Sequence, residues 1–535
     1  MRTRTRSLLL PCAALLAAAA RAPPAVDRPQ YACLDNCCQW DPKDPSSYTQ
    51  ASVDLILAQL NGTRGSADGK RRLCLGTDFW VEYDADVPTM LKSMDALLEL
   101  ALANDIPVSL SIDATQWYST RPDVWNWFNS ELPGFAPENR MNVEWSAFNP
   151  LNATSIAWRN WGTDPAHPAA SQVRLLSPAP NFASTAFRTA AAQSMAPVAA
   201  RVAAWLAALP PERRSMLAYV RSVQELWQGT NYYFYPGAND ENGVVQWPPS
   251  EDPSDIALSA QIGFAAVCTM NIACGGPMTQ AALDATVSDF VAFAGGVLAS
   301  AGIPRSRRMS HTGSFFGHPP APGRLVFNSP MAAVTAASAP GWSLYLGDVD
   351  ASADAGLGAA LDAIAGTPWG APEFAPFFSG GTAEEWAAGF EATMGFRNNR
   401  LVVLQNWLAV ANYTPALEAL VAVLSASPGC LVDAAQALAA QQLNASAWRL
   451  SWAPGADAAA LAVQASFSPL LLPSGALAVP FASAPLAGDA TQLDLTVPPD
   501  GAGAPVYWTV VSSGCGGAPP DAAAQVVVSD VASFE

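Results

Sequence analysis

The most constraining feature of this sequence is a regular alternation of short apolar segments with helical stretches, which runs from about residue 31 to residue 425. Strand and helix in strict alternation predict a parallel sheet, and eight such units predict closure of that sheet into a barrel. The predicted strands cover 31–36, 72–78, 107–113, 216–225, 308–313, 341–348, 368–374 and 401–407. An open doubly wound sheet is the alternative, but no glycine-rich phosphate loop follows the first strand.

The pattern changes after about residue 440, where helical spacing gives way to a period of two, interrupted by Pro, Gly and Ser. Segments 448–452, 461–467 and 506–511 are predicted as strands of a β-sandwich. The motif Trp448-x-x-x-Trp452 near the start of this region and the strand with Tyr507-Trp508 near its end resemble a fibronectin type III module. The core of this region is expected to contain Trp508 with Trp448 or Trp452.

The predicted fold class is therefore α/β, with a (β/α)8 barrel followed by an all-β sandwich. The barrel is expected over 31–430, with a Trp-rich insertion at 114–183, and the sandwich over 440–535. Tryptophan at this density is typical either of the core of a lid or of subsites for a chain of sugars. We expect at least one of these tryptophans to contact substrate.

Residues 1–22 are typical of a secretory signal peptide. Three arginines precede an apolar stretch at 8–20, and Ala20-Arg21-Ala22 supplies a small-x-small cleavage site. The stretch is short for an uncleaved anchor, and no other run of about 20 apolar residues is free of charged and turn residues. We therefore expect a secreted, extracellular protein with no membrane insertion.

The cysteine count agrees with an oxidising compartment. Of nine cysteines, Cys12 lies in the predicted signal peptide, and an even number remains. Cys268 and Cys274 are the best local pair, whereas the other pairings stay open. A zinc site is poorly supported, because the chain has three histidines and no paired CxxC motif. Sequons that fit glycosylated surface loops occur at Asn61, Asn152, Asn412 and Asn444.

Charge excludes two classes of partner. Lys and Arg number 27 against 45 Asp and Glu, which gives a net charge of −18. An acidic surface repels the phosphate backbone of nucleic acids and the headgroups of anionic lipids. The sequence therefore argues against nucleic-acid binding and against peripheral membrane binding. With 50% hydrophobic and 13% charged residues, the chain is also too apolar to be disordered. Protein partners are not identified by the sequence.

Polar residues recur where the predicted barrel strands end, which is where barrel enzymes place their functional side chains. These residues are Asp78, Asp113, Glu225, His311, Asp348, Glu373, Asn406 and Trp407. Aromatic residues accompany several of them, and aromatic faces stack on sugar rings while carboxylates and amides bind hydroxyls. Trp117, Asn231 and Tyr232 are expected to line the same cleft. The sequence therefore predicts a carbohydrate as substrate.

Two glutamates supply what glycosidic cleavage needs. One carboxylic acid must protonate the leaving oxygen, and one carboxylate must attack the sugar or activate water. Glu225 and Glu373 end the fourth and seventh predicted strands. The alternatives are a structural Glu225 paired with Arg221, and a Glu373 that lies in a loop. Asp113, Asp348 and His311 are likewise explained either by substrate binding or by structural hydrogen bonds.

At this point the chain resembles the retaining (β/α)8 glycoside hydrolases of clan A, over about residues 31–425. The resemblance implies that Glu225 is the acid/base, that Glu373 is the nucleophile and that Trp407 forms the floor of the sugar site. It departs from the clan in one place, since Gln224 stands where the clan usually has Asn. The resemblance implies that the Gln224 amide donates to the sugar 2-hydroxyl.

Two rivals remain open at this stage. A non-catalytic carbohydrate-binding or adhesion protein would keep the aromatic cleft but would hold its carboxylates too far apart. A metal-dependent barrel hydrolase would bring Asp78, Asp113 and His311 within metal-ligand distance. The sequence favours a retaining glycosidase that requires neither a metal nor an organic cofactor.

Overall fold

The structure is a computed structural model, and it describes most of the region predicted to form the barrel and the strands that follow it. The described residues are 29–35, 40–81, 86–115, 121–127, 129–144, 160–161, 173–174, 179–230, 261–272, 274, 279–313, 328–345, 349–351, 354–364, 368–377, 380–404, 411–428, 436–444, 447–453, 458–466, 480, 482–487, 492–496, 506–515, 526–528 and 532–534. The predicted signal peptide lies outside them.

Eight parallel strands form one sheet, in which the first strand pairs with the eighth and the fifth and sixth strands lie at the two ends. The strands are β1 Gln30–Leu34, β2 Arg71–Trp80, β3 Val108–Asp113, β4 Leu217–Arg221, β5 Arg308–Met309, β6 Gly341–Tyr345, β7 Trp369–Ala375 and β8 Asn399–Leu404. Parallel bridges Met309–Ala339 and Thr312–Trp342 join β5 to β6. The predicted barrel is therefore confirmed, and its strand ends share one face.

Helices return the chain after seven of the eight strands. They are α1 Gln50–Gln59, α2 Val87–Asn104, α3 Thr185–Ala208, α4 Gln280–Ser300, α5 Ala355–Ala363, α6 Ala383–Met394 and α7 Thr414–Ser425. Side-chain caps explain where several begin: for example, Asp86 accepts from Thr89 N, and Thr382 forms a capping box with Glu385. In the described part of the β5–β6 connection, a 3-10 turn at Pro330–Ala333 takes the place of an α-helix.

Alternate residues of each strand face the helices or the barrel interior. Leu110 and Ile112 of β3, for example, pack into the core between sheet and helices, whereas Cys33 and Cys74 share a smaller cluster inside the barrel. Helix α4 is the one described helix long and apolar enough to cross a membrane by length and composition, and half of its apolar window is buried inside the molecule.

Two disulfides occur among the described residues. Cys268–Cys274 closes a short loop in the β4–β5 connection, which confirms the local pair expected from sequence. Cys33–Cys74 joins register partners on β1 and β2. The sequence left this pairing open, because it depends on which strands are neighbours.

The C-terminal strands form two antiparallel sheets. One contains β9 Gln436–Asn444, β10 Ala447–Ala453 and β13 Gln492–Thr496; the other contains β11 Ala458–Ser466, β12 Ala482–Ala487, β14 Val506–Cys515, β15 Val526–Val528 and β16 Ala532–Phe534. Trp452 and Trp508 come from different sheets, are fully buried, and have ring centroids 6.3 Å apart. The all-β region expected from sequence is therefore present, with these two indoles in its core.

Candidate active site

Glu373 is a fully buried carboxylate at the carboxyl end of β7, and it faces the barrel interior. Gln224 Nε2 donates to its Oε1 at 3.1 Å, and the Ser343 hydroxyl donates to its Oε2 at 3.3 Å. The Tyr345 hydroxyl also donates to Oε2. Three donors from β6 and the segment after β4 thus converge on this carboxylate.

Glu225 lies four residues beyond the end of β4 and is half-buried. Its backbone has a left-handed φ of 42°, a conformation that costs a non-glycine residue roughly 1–2 kcal/mol. The flanking backbone fixes this turn, because Gln224 N donates to Asp113 Oδ1 at 3.0 Å and Leu226 N donates to His311 O at 3.0 Å. Strain held by its surroundings is typical of functional positions.

One phenol connects the two glutamates. The Tyr345 hydroxyl lies 3.1 Å from Glu225 Oε1 and also contacts Glu373 Oε2. Because one hydroxyl contacts both glutamates at hydrogen-bond distance, Glu225 Oε1 and Glu373 Oε2 are at most ~6 Å apart. That spacing approaches the ~5–5.5 Å of retaining glycosidases rather than the ~6.5–9.5 Å of inverting ones.

A buried cation lies beneath the glutamates. The guanidinium of Arg221, the last residue of β4, is 3.1 Å from Asp78 Oδ1 and 3.3 Å from Asp35 Oδ1, and all three side chains are almost completely buried. It also donates to the carbonyl of Pro372, the residue before Glu373, at 3.2 Å. Arg221 therefore pairs with aspartates on the β1 and β2 ends, and not with Glu225.

Burial dominates the protonation of the carboxyl groups. Desolvation, and then the charge of Glu225, raise the pKa of Glu373 well above its ordinary value, while the hydrogen bond from Tyr345 opposes that shift. Burial and the Asp35 charge likewise raise the pKa of Asp78, and burial and both glutamates raise the pKa of Tyr345 well above 10.0. Glu373 is therefore buried beside a second carboxyl group, and both features favour its protonated form.

His311 and Asp113 each contact other members of the site. His311 Nε2 lies 2.9 Å from Ser343 Oγ and 3.8 Å from Glu373 Oε2. Asp113 is buried, and its Oδ1 accepts from the Thr115 backbone and hydroxyl as well as from Gln224 N. These bonds hold the loop after β3 against the turn that carries Glu225.

A buried carboxylate joins two connections on this face of the barrel. Glu144, in the insertion after β3, accepts from Ala265 N at 3.0 Å and from Ala266 N at 3.2 Å in the β4–β5 connection. Burial raises its pKa from 4.5 to about 7, although the backbone donors oppose that shift. In the same insertion, Trp125 and Trp127 pack into or against the hydrophobic core.

The structure brings together six of the site residues predicted from sequence, in one connected set. These are Asp78, Asp113, Gln224, Glu225, His311 and Glu373. The other six lie outside the described residues and stay predictions. They are Trp117, Asn231, Tyr232, Asp348, Asn406 and Trp407.

Sequence reasoning missed three members of the site, namely Asp35, Ser343 and Tyr345. The described part of β6 runs from Gly341 to Tyr345, whereas the sequence analysis placed the functional side chain of this strand at Asp348, which lies outside the described residues. Ser343 and Tyr345 alternate with the helix-facing Trp342 and Leu344, and this alternation was the available signal. Asp35 directly follows β1.

The metal-dependent alternative receives no support from the described side chains. Within the part of the chain that the structure describes, no three His, Cys, Asp or Glu side chains form a group able to hold a metal ion. Asp78, Asp113 and His311 instead make the separate contacts given above. The non-catalytic alternative required well-separated carboxylates, whereas the two glutamates share one phenol.

No protein-family model and no curated protein matches the sequence. Among solved structures, the chain is similar to a modular endo-β-1,4-mannanase of glycoside hydrolase family 26 from Cellulomonas fimi, at 11% identity and a TM-score of 0.30, over 94% of this chain and 93% of that one. An engineered protein matches at 12% identity and a TM-score of 0.30, over the same shares. A chitinase from Bacillus thuringiensis matches at 9% identity and a TM-score of 0.16, over 86% of this chain and 65% of that one. Similarities this low carry no argument about function.

Proposed function

We propose that this chain is a secreted glycoside hydrolase that cleaves O-glycosidic bonds of an oligo- or polysaccharide with retention of anomeric configuration. The observation that carries the proposal is the Tyr345 hydroxyl, which contacts Glu225 and Glu373 together at the carboxyl end of a parallel barrel. Such a pair supplies the acid and the nucleophile that glycoside cleavage requires.

In the first step, Glu225 protonates the glycosidic oxygen while Glu373 attacks the anomeric carbon. The bond from that carbon to the leaving oxygen breaks, and a covalent glycosyl-enzyme forms. In the second step, Glu225 takes a proton from water, the water oxygen bonds to the anomeric carbon, and the ester to Glu373 breaks. Both glutamates return to their starting protonation states.

The hydrogen bonds favour this division of roles. The ionised form of Glu373 is stabilised by donors from Tyr345, Ser343 and Gln224. Glu225 is half-buried, which leaves its carboxyl group accessible to a leaving oxygen. The first step needs a protonated Glu225 and an ionised Glu373. The donors to the Glu373 carboxylate favour that arrangement, whereas burial and the charge of Glu225 oppose it.

Secretion is part of the same proposal. The predicted signal peptide supports it, and so do the Cys33–Cys74 and Cys268–Cys274 disulfides, since disulfides persist in oxidising compartments. The fibronectin type III-like identity of the C-terminal region rests on its two antiparallel sheets and its buried Trp pair. That region is expected to bind a surface or to brace the barrel rather than to catalyse.

The test is a screen of the secreted protein against chromogenic glycosides and polysaccharides, followed by NMR of the first-formed product anomer. We expect turnover with a retained anomer. Glu373→Gln should lower kcat by about 10³-fold or more with little change in KM. Glu225→Gln should cost ~10²–10⁴-fold on poor leaving groups and far less on activated aryl glycosides.

Glu138→Gln, an exposed carboxylate in the insertion, is the matched control and should keep wild-type turnover. Polysaccharide binding without any turnover would instead favour the non-catalytic carbohydrate-binding protein. An inverted product would reject Glu373 as nucleophile.

A further inference from the structure

The turn that carries Glu225 is held from both of the strands that flank β4. From the end of β3, Asp113 Oδ1 accepts from Gln224 N at 3.0 Å, on the N-terminal side of the glutamate. From the segment after β5, the His311 carbonyl accepts from Leu226 N at 3.0 Å, on its C-terminal side. The left-handed φ of 42° at Glu225 is therefore fixed by bonds on both sides of the residue.

The oxygen of Asp113 that holds this turn is fully used inside the protein. Besides Gln224 N, Asp113 Oδ1 accepts from the backbone N of Thr115 at 3.0 Å and from its hydroxyl at 2.7 Å. Both Asp113 and Thr115 are fully buried. Backbone N–H groups only donate, so Oδ1 is their acceptor whether the carboxyl group is ionised or carries a proton on Oδ2. Three donors leave this oxygen no capacity for a sugar hydroxyl.

A glycine limits where the Glu225 side chain can lie. A methyl group added at Gly313 would lie 3.3 Å from Glu225 Cγ, 3.3 Å from Glu225 O and 3.1 Å from Trp227 Cδ1, so these neighbours would have to shift by a few tenths of an ångström. Gly313 N also donates to Leu226 O at 3.0 Å, which keeps the glycine backbone against the turn. The absence of a side chain at Gly313 thus leaves the room that Glu225 occupies.

We propose that Asp113 and Gly313 are positioning residues for the acid/base, an assignment that rests on the proposed function. Asp113 holds the backbone of the turn in its left-handed form, and Gly313 leaves the space for the side chain. Both act through Glu225. General acid catalysis needs a carboxyl group within hydrogen-bond reach of the leaving oxygen, and a displacement of ~1 Å costs ~10²-fold in rate. This role differs from the sugar binding that the sequence predicted for Asp113.

The test compares aryl glycosides of one sugar, with leaving groups that range from poor to activated. Their kcat/KM values report the first step, in which Glu225 protonates the leaving oxygen. Asp113→Ala removes the acceptor for Gln224 N and should lower kcat/KM ~10²-fold on poor leaving groups and far less on activated ones. Asp113→Asn keeps an amide oxygen for the same N–H and should restore the wild-type dependence on the leaving group.

Added azide gives a second measurement that a loss of folding would not produce. The azide anion attacks the anomeric carbon of the glycosyl-enzyme, and the ester bond to Glu373 breaks. This step needs no base, because azide carries no proton to remove. Azide should therefore raise kcat of Asp113→Ala on an activated aryl glycoside and yield the glycosyl azide, with little effect on wild type.

Gly313→Ala tests the second half of the assignment and does not depend on whether Asp113→Ala folds. The added methyl group should displace Glu225 and give the same leaving-group dependence and azide response. Gly358→Ala is its control, because nothing lies within 4 Å of that added methyl group. Asp68→Ala is the control for Asp113, since Asp68 Oδ1 likewise accepts from the backbone N–H two residues later, at 3.1 Å, before β2 begins. Both controls should keep the wild-type dependence.

Three results would overturn the inference. An equal fall in kcat/KM for every leaving group in Asp113→Ala and Gly313→Ala would show a purely structural role. A raised KM with unchanged leaving-group dependence would show that Asp113 binds the sugar. A crystal structure of Asp113→Ala in which Glu225 keeps its left-handed φ would show that the Asp113 bond is dispensable. No turnover by wild type on any glycoside is a failure of the proposed function, and the φ of Glu225 in that crystal structure still tests the role of Asp113.

Discussion

Tyr345 and Glu225 are joined by a hydrogen bond of 3.1 Å, although they lie on segments separated by 120 residues. The bond joins a tyrosine on β6 to a glutamate that the turn after β4 holds in a left-handed conformation. The same hydroxyl contacts Glu373. A single phenol therefore sets the spacing of the two carboxyl groups and links their protonation.

Tyr345→Phe removes this shared hydroxyl. We expect kcat/KM to fall by ~10–100-fold, the size of a lost hydrogen bond to a charged group. Because the Tyr345 bond lowers the pKa of Glu373, its loss raises that pKa and moves the acidic limb of the pH–rate profile to higher pH. Tyr31→Phe removes a buried phenol bond to Ser215 O, away from the glutamates, and is the control. An unmoved acidic limb in Tyr345→Phe would contradict the assignment.

Arg221→Met should destabilise the barrel by about 3–5 kcal/mol, because it leaves Asp35 and Asp78 buried without their cation. Urea unfolding measures the loss. Adding Asp35→Asn and Asp78→Asn should recover much of it, since the uncompensated charges are then gone. Arg397→Met breaks an exposed pair with Asp362 and should cost no more than ~1 kcal/mol. Equal costs for the two single arginine variants would refute the buried-charge explanation.

Glu144→Gln should remove part of the pH dependence of stability. The folded-state pKa of Glu144 is raised from 4.5 to about 7, so the folded state binds its proton more tightly than the unfolded chain does. Stability falls as pH rises through that window and levels off above it. Wild type should lose about 3 kcal/mol more than Glu144→Gln between pH ~4 and ~8, measured by urea unfolding at both pH values. Parallel curves for the two proteins would exclude this role.

Residues 436–535 should fold on their own, because Trp452 and Trp508 bury against each other between two sheets of this region. The isolated fragment is expected to unfold cooperatively, with a change in tryptophan fluorescence. Trp508→Ala in the fragment should cost ~3–5 kcal/mol. A fragment with no cooperative transition would mean that this region depends on the barrel.

The fold was predictable because its signal is repeated. Eight apolar segments alternate with helical stretches, and each of the eight predicted strand segments overlaps a strand of the sheet. Glu373 was predictable because it lies in a strand whose neighbours are apolar. Parallel pairing then brings it beside the end of β6 with no further information needed.

The hydrogen-bonded partners were harder to predict, because they depend on the register and on the point where each strand stops. The sequence analysis placed the functional side chain of this strand at Asp348 and passed over Ser343 and Tyr345, which share the face that points inward. The structural alternative for Glu225 paired it with Arg221, which is close to it in sequence. The Arg221 side chain instead pairs with Asp35, which directly follows β1, and with Asp78 on β2.

The buried group of Arg221, Asp35 and Asp78 also bears on how such a chain can drift during evolution. Under the proposed function, loss of either glutamate would remove a catalytic group and leave the Arg221 pairs in place, whereas loss of one member of the trio leaves the others unbalanced. Descendants that have abandoned catalysis should therefore still carry the trio intact. A related barrel that keeps these three residues and lacks the glutamates would fit this expectation.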